Sequence, residues 1–186
     1  MFDKAFGLPV HVLIVHAVVV LGPIAALLAI AYAVRPAWRL ALRWPLVLTA
    51  PATGVASFVA AESGEKLEER VLSGGAGDSA NARLIHDHTE AGDLMKIVGL
   101  VFMVVALAAV FWLLRPPARL PRVRDDATAT GEGPTGEGAT VVRQSGGVLS
   151  TIAAVLLVLV SLGTLYQVVI TGHSGSKASW SEVTNS

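Results

Sequence analysis

The residues best suited to chemistry in this chain are its five histidines. His11 and His16 lie near the start of the first long apolar stretch, His86 and His88 precede the third, and His173 follows the fourth. An imidazole at the edge of or inside an apolar stretch costs free energy unless it has a partner. We therefore expect these rings to contact a cofactor, a metal ion or hydrogen-bonding groups.

Helical periodicity predicts how these rings are directed. Successive helical residues are rotated by about 100°, so His86 and His88 point about 160° apart and only one of them faces a bundle interior. His88 shares its face with Gly92, a position without a side chain where a flat macrocycle or another backbone fits closely. We expect His86 to point away. His11 and His16 differ by about 140° and do not form a chelating pair on one helix face.

Four uses of the histidines remain open from the residues alone: haem ligation, metal binding, a structural network, and a proton-relay or hydrolytic role. Imidazoles from different helices ligate haem iron in helical bundles, and several imidazoles with a carboxylate bind zinc, copper or iron. Alternatively, the rings only form a hydrogen-bonded network in a non-catalytic membrane scaffold or accessory subunit. The predicted haem-binding residues are His11, His16, His88, His173 and Gly92, and the predicted metal ligands are His11, His16, His88, His173 and Glu62.

Composition limits the class of protein. Of the 186 residues 53% are hydrophobic and only 15% are charged, which indicates a membrane protein. The formal net charge is zero, so nucleic acid is not an expected partner. The absence of cysteine excludes disulfides, thiolate metal sites and covalently attached haem. The sequence contains no Walker, GxSxG, HExxH or Rossmann motif, so nucleotide and serine-hydrolase chemistry find no support.

Four apolar stretches must position the histidines. They cover about 9–34, 45–61, 97–114 and 148–171, and a helix needs about 20 such residues to cross a bilayer. We predict a single all-α domain over residues 1–186, a bundle of four transmembrane helices in the lipid bilayer. The segment from about 115 to 146 is rich in Pro, Gly, Thr and charge and is predicted to be a disordered tether.

The distribution of arginine predicts the orientation of this bundle. The segment between the first two stretches contains Arg35, Arg39 and Arg43 and no acidic residue, and the 115–146 segment contains five arginines. The segment between the second and third stretches contains eight acidic residues. The positive-inside rule therefore places the chain in the cytoplasmic (inner) membrane with both termini outside the cytoplasm.

A short repeat suggests internal duplication. Ser63-Gly64-Glu65-Lys66 follows the second apolar stretch, and Ser174-Gly175-Ser176-Lys177 follows the fourth. Two pseudo-repeated helical hairpins would produce this pattern, as would chance similarity in a short turn.

Several segments together resemble a known family. The sequences GLPVHVLIVHAVVVLGPIAALLA, SGEKLEERV, HTEAGDLM and TGHSGSKASW are similar to a family of bacterial four-helix membrane proteins of unknown function, which are sometimes joined to Rieske-type domains. The family pattern carries over to His11, His16, His88 with Gly92, and His173 with Gly172, Ser174 and Gly175, and it has no counterpart of His86. Its layout is more distantly similar to that of membrane b-type cytochromes. The resemblance implies haem and electron transfer, with a redox partner protein or a quinone.

Overall fold

The fold consists of four long helices. The structure, a computed structural model, describes residues 4–5, 8–73, 79–114 and 147–184. The helices are α1 (Val10–Val34), α2 (Arg39–Ser73), α3 (Ser79–Ala108) and α4 (Val148–Thr184). A 3-10 turn (Pro36–Trp38) joins α1 to α2, and α3 continues as a π-helical turn (Ala109–Leu113). A two-residue antiparallel pairing of β1 (Lys4–Ala5) with β2 (Leu8–Pro9) precedes α1, and the predicted tether 115–146 lies outside the described residues.

All four helices are long and apolar enough to cross a membrane, which confirms the predicted all-α membrane fold. α2 and α3 extend well past the apolar stretches predicted at 45–61 and 97–114. Hydropathy marks only the part of a helix in contact with lipid, whereas the charged segment SGEKLEERV consists largely of good helix formers and continues α2 to Ser73. Large apolar side chains lie exposed on the outside of every helix, among them Val20, Leu48, Val104 and Leu159. Such a surface fits contact with lipid.

The helices form an antiparallel bundle in which α1 and α3 lie on one diagonal. Each of these two helices packs against both α2 and α4. We call the end where α1 and α3 begin the histidine end, and the end where α1 joins α2 the arginine end. α4 finishes at the histidine end, so the first and last helices bring their outer termini to the same side of the bundle.

The tightest core lies toward the arginine end. Tyr32 and Phe102 are fully buried there among alanine and leucine side chains. The Tyr32 hydroxyl donates a hydrogen bond of 2.6 Å to the carbonyl oxygen of Leu114, where the π-helical turn ends. This bond ties the end of α1 to the end of α3 and satisfies a polar group that would otherwise be costly to bury.

The two hairpins, α1–α2 and α3–α4, have matching patterns of burial, as a pseudo-two-fold arrangement would produce. Buried residues of α1 correspond to buried residues of α3 that lie as many positions later in the sequence as His88 lies after His11. The same holds for α2 and α4 when the separation is that between Ser63 and Ser174. Close helix contacts match as well: a Cβ on Gly22 would lie 3.0 Å from Val168, and one on Gly99 would lie 2.8 Å from Ser57. The buried equivalents include Val18 and Met95, Ala25 and Phe102, Ala29 and Ala106, Leu46 and Leu157, and Thr53 and Thr164.

Candidate functional site

A cavity of about 630 Å³ lies at the histidine end, with residues from all four helices in its lining. Its size falls within the range of small-molecule and cofactor sites. Most of the lining is apolar or small, and two half-buried imidazoles, those of His11 and His88, stand out among the polar groups. The cavity thus combines an apolar space with a few placed polar atoms.

The imidazole of His11 is held by the end of α2. Its Nδ1 lies 3.0 Å from the carbonyl oxygen of Ala60 and 3.2 Å from the hydroxyl oxygen of Ser63. Because a carbonyl oxygen only accepts hydrogen bonds, Nδ1 must be the donor. The neutral ring therefore has its proton on Nδ1 and a free lone pair on Nε2, the form in which imidazole binds a metal.

The imidazole of His88 is held in the same way by the end of α4. Its Nδ1 lies 3.1 Å from the hydroxyl oxygen of Ser174, and this hydroxyl donates its own proton to the carbonyl oxygen of Thr171 at 3.0 Å. The oxygen of Ser174 can then only accept, so Nδ1 of His88 is the donor and its Nε2 keeps a lone pair. Ser63 makes the equivalent bond to Ala60 at 3.0 Å, so the two imidazoles occupy equivalent positions of the two hairpins.

Two glycines make room for these rings. A Cβ on Gly64 would lie 3.0 Å from Cε1 of His11, and a Cβ on Gly175 would lie 2.9 Å from Cε1 of His88. An alanine at either position would crowd the ring and force the imidazole to shift. The Ser-Gly pair of the sequence repeat is therefore the device that positions a histidine: the serine accepts from Nδ1 and the glycine lies against the ring.

The two rings face each other across the bundle. Their centroids are 6.2 Å apart and their planes differ by 79°. Two imidazoles bound through Nε2 on opposite sides of one iron have ring centres about 6 Å apart, whereas two ligands of a tetrahedral metal have ring centres about 5 Å apart, given metal–nitrogen bonds of about 2 Å. The spacing therefore fits axial ligation of haem iron, and the glycines beside the rings fit a crowded planar group.

The site offers fewer ligands than a conventional metal centre needs. Within the described ranges, no group of three or more His, Cys, Asp or Glu side chains is close enough to hold a metal ion. Structural and catalytic zinc sites need at least three protein ligands. The donor set at this site is a pair of imidazoles.

The other predicted site residues have different surroundings. His16 lines the same cavity but is exposed, and its Nδ1 donates to the carbonyl oxygen of Val12 at 2.6 Å. Gly92 also lines the cavity, and a Cβ there would meet no atom within 4 Å. His173 is exposed and lies outside the cavity lining.

Glu62 and His86 take part in ion pairs instead. Lys96 lies 3.2 Å from Glu62, 3.4 Å from Glu65 and 3.0 Å from Asp93, so Glu62 helps to join α2 to α3 and does not line the cavity. His86, an exposed ring outside the lining, has Nδ1 3.3 Å from a carboxylate oxygen of Glu68 and Nε2 3.4 Å from one of Glu90. A neutral imidazole has a single N–H, so the two contacts can be hydrogen bonds at the same time only when both ring nitrogens carry a proton.

Sequence reasoning did not single out the residues that hold the imidazoles. Glu68 also lines the cavity and was not among the predicted site residues. Ser174 and Gly175 were carried over from the family pattern beside His173, whereas Ser63 and Gly64 were noticed only as part of a repeat. The signal that could have identified them is the match between two facts: each Ser-Gly pair follows an apolar stretch, and each hairpin has two histidines near the start of its first helix.

Comparison with known proteins identifies the family. No curated protein and no solved structure matches the chain. The model of one family, described as "Predicted membrane protein (DUF2231)", matches residues 7–185, nearly the whole chain and all four helices. The chain belongs to this family of predicted membrane proteins, DUF2231.

Proposed function

We propose that the protein binds b-type haem at the histidine end, with His11 and His88 as the two axial ligands. The observation that carries this proposal is the imidazole pair itself: two rings on diagonal helices, each with Nδ1 engaged and Nε2 free, and with centroids 6.2 Å apart. Metal-ligating histidines usually donate their second ring N–H to a carbonyl or another acceptor in this way. No hydrogen bond in the described part of the chain involves Nε2 of either ring.

The cavity walls support a flat ligand between these rings. A flat ligand held between His11 and His88 would be flanked by α2 and α4. The lining from these two helices contains small residues at equivalent positions of the two hairpins: Ala60, Ala61 and Gly64 on α2, and Thr171, Gly172 and Gly175 on α4. The apolar side chains deeper in the cavity, such as Val18, Met95 and Val168, exclude water from its floor.

The proposed role is electron transfer in the membrane. Haem bound there would supply one-electron redox chemistry. Haem held there would take both of its protein ligands from the imidazoles of His11 and His88, and this donor set would favour electron exchange over oxygen binding. The proposed exchange partners are a quinone from the bilayer or a redox protein at the histidine end.

Two other occupants of the site are alternatives that the same experiment tests. A transition metal such as zinc, copper or iron needs His16, or a carboxylate after rearrangement, to complete the ligands of His11 and His88. In a scaffold without a cofactor, the contact between the rings of His11 and His88 and the serine bonds only stabilise the histidine end.

The test is purification of the full chain in mild detergent from cells supplied with haem precursor and metals. We expect about one haem per chain and an intense Soret band that shifts and sharpens on reduction. Near-stoichiometric metal without this band would show that the site binds a metal ion and not haem. Colourless, metal-free protein would leave the scaffold without a cofactor as the remaining function.

Variants then test the ligand assignment. His11→Ala and His88→Ala are each expected to abolish the low-spin spectrum, whereas the matched controls His86→Ala and His173→Ala, at the same end of the bundle, are expected to keep it. Gly92→Ala adds a methyl group that meets no protein atom, so it should not lower the unfolding temperature of the cofactor-free protein. If it also leaves haem content unchanged, the macrocycle does not extend to α3 at this depth.

We also propose an orientation and a location. The arginine end carries Arg35, Arg39 and Arg43, whereas acidic side chains gather at the histidine end, so the positive-inside rule places the arginine end in the cytoplasm of a bacterial cell. Both termini and the imidazole pair then lie on the outer side of the cytoplasmic membrane.

A further inference from the structure

The arginine end carries cations without carboxylate partners. Arg35, Arg39 and Arg43 follow one another at intervals of four residues around the turn between α1 and α2. The sequence has no Asp or Glu from residue 4 to residue 61, and no ion pair joins any of these arginines to a carboxylate within the described part of the chain. Within the described residues, these arginines therefore have no carboxylate to neutralise them.

One of the three arginines has a structural role. Arg39 donates from Nε to the carbonyl oxygen of Tyr32 at 3.1 Å and from Nη2 to that of Ala33 at 3.3 Å. These carbonyls belong to the last turn of α1, where no helical N–H is available to them. The guanidinium of Arg39 thus stabilises the end of α1 and is committed to backbone acceptors.

The other two guanidinium groups are held by aromatic rings. Arg43 lies 5.7 Å from the ring centre of Trp44 and 5.4 Å from that of Phe111, and its Nε is buried without a hydrogen-bond partner. Arg35 lies 5.6 Å from the ring centre of Trp38. Stacking on rings fixes a guanidinium in place and leaves its terminal N–H groups as donors.

The same tryptophans show where this site lies relative to lipid. Trp38 and Trp44 are 53% and 62% exposed at one end of helices that are long enough to span a membrane. Exposed tryptophan at this position is typical of the level of the lipid headgroups. An anion that reaches Arg35 and Arg43 at this level is most simply supplied by the bilayer.

We propose that Arg35 and Arg43 bind the phosphate of an anionic phospholipid at the arginine end. Guanidinium groups pair well with phosphate because they offer several N–H donors in one plane. The neighbouring tryptophan rings contact the glycerol and upper acyl region of the same lipid. This site does not depend on the histidine end or on the cofactor proposed there.

The test is native mass spectrometry of the full-length detergent-solubilised protein titrated with phosphatidylglycerol and with phosphatidylcholine of the same acyl chains. We expect one phosphatidylglycerol to be retained in preference to phosphatidylcholine. Each of Arg35→Gln and Arg43→Gln should weaken its binding about fivefold, the effect of roughly 1 kcal/mol per cation near a charged surface. The affinity of Arg43→Lys for phosphatidylglycerol should fall between those of the wild type and Arg43→Gln, since lysine keeps the charge and loses the planar donors.

Matched controls decide what the preference means. Arg83→Gln removes the same charge at the histidine end and should leave phosphatidylglycerol binding unchanged; an equal loss there would show only general attraction between charges and overturn the site. Wild-type protein without preference for phosphatidylglycerol would also overturn it. If millimolar inorganic phosphate displaces the lipid completely, the site binds soluble phosphate and the lipid assignment is wrong. Unchanged unfolding temperatures of the variants show that binding, not folding, is measured.

Discussion

The hydroxyl groups of Ser63 and Ser174 determine which nitrogen of each imidazole is free. Each serine donates to the carbonyl three residues earlier, at 3.0 Å in both hairpins, so its oxygen accepts from a histidine Nδ1. This arrangement fixes the ring orientation and makes Nε2 more basic. A serine in a helix interior often bonds only its own backbone, and here that bond has a second consequence.

We predict that Ser174→Ala weakens haem retention about tenfold, within the range known for groups that orient metal ligands. It should also raise the midpoint potential, by up to about 60 mV if the loss falls on the oxidised form alone, because the less basic imidazole stabilises ferric iron less. Redox titration of the purified protein measures both effects. Ser176→Ala is the matched control, because Ser176 lines the same cavity and makes the same bond to the carbonyl oxygen of His173 at 2.8 Å, but makes no hydrogen bond to an imidazole within the described residues. Equal potentials in the two variants would show that Ser174 does not act through His88.

The histidines could be found from the sequence, but their division into roles could not. His173 and Ser174 are adjacent, and one step of about 100° around α4 places the serine against His88 and leaves the histidine exposed. Which of the two faces inward depends on the rotation of α4 against its neighbours. Hydropathy near the end of an apolar stretch does not contain that information, so all four histidines were equal candidates.

At the scale of elements, glycine determines how closely the helices approach. Gly99 of α3 faces Ser57 of α2, where a Cβ would lie 2.8 Å from the serine oxygen and 2.9 Å from its Cβ. Gly54 faces Met103 in the same interface at 3.0 Å. Close packing of small residues is a principal source of helix association in lipid, where burial of apolar surface gives little driving force.

Gly99→Ala is therefore expected to destabilise the bundle by about 1–3 kcal/mol, the usual cost of overpacking a core. Ser57→Gly in the same chain should restore most of the loss, since it removes both atoms that the new methyl group meets. The measurement is unfolding in mixed detergent micelles. Gly163→Ala on α4 is the control: a Cβ there meets nothing within 4 Å, so the helix gains propensity without a clash. If Ser57→Gly fails to rescue, the contact between Gly99 and Ser57 does not limit the approach of α2 and α3.

The number and type of the elements could be predicted from the sequence because lipid imposes a simple requirement on length and composition. The lengths of the helices could not, because α2 continues to Ser73 through residues that contact water and ion pairs such as those of Lys96. These charged turns carry Ser63 and Gly64 to the level of His11. The parts of the helices beyond the apolar stretches thus help to build the candidate site.

For the whole molecule, the pseudo-two-fold relation explains why one site uses two histidines. Each hairpin supplies one imidazole from its first helix and one Ser-Gly pair from its second. An axis between the hairpins makes His11 and His88 equivalent across the bundle, and a ligand near this axis meets the same donor from both sides. The short Ser-Gly-x-Lys repeat lies at corresponding positions of the two hairpins.

The orientation of the whole molecule gives the last prediction. Four antiparallel helices place the start of α1 and the end of α4 on one side, and the arginines favour the cytoplasm for the other side. Because the chain has no cysteine, single cysteines at Gly75 and Gly136 report each side separately. In intact cells whose outer membrane has been made permeable, a membrane-impermeant maleimide should label Gly75→Cys and leave Gly136→Cys unlabelled until the inner membrane is disrupted. The reverse pattern would place the imidazole pair on the cytoplasmic side, and any redox partner at the histidine end would then have to be sought in the cytoplasm.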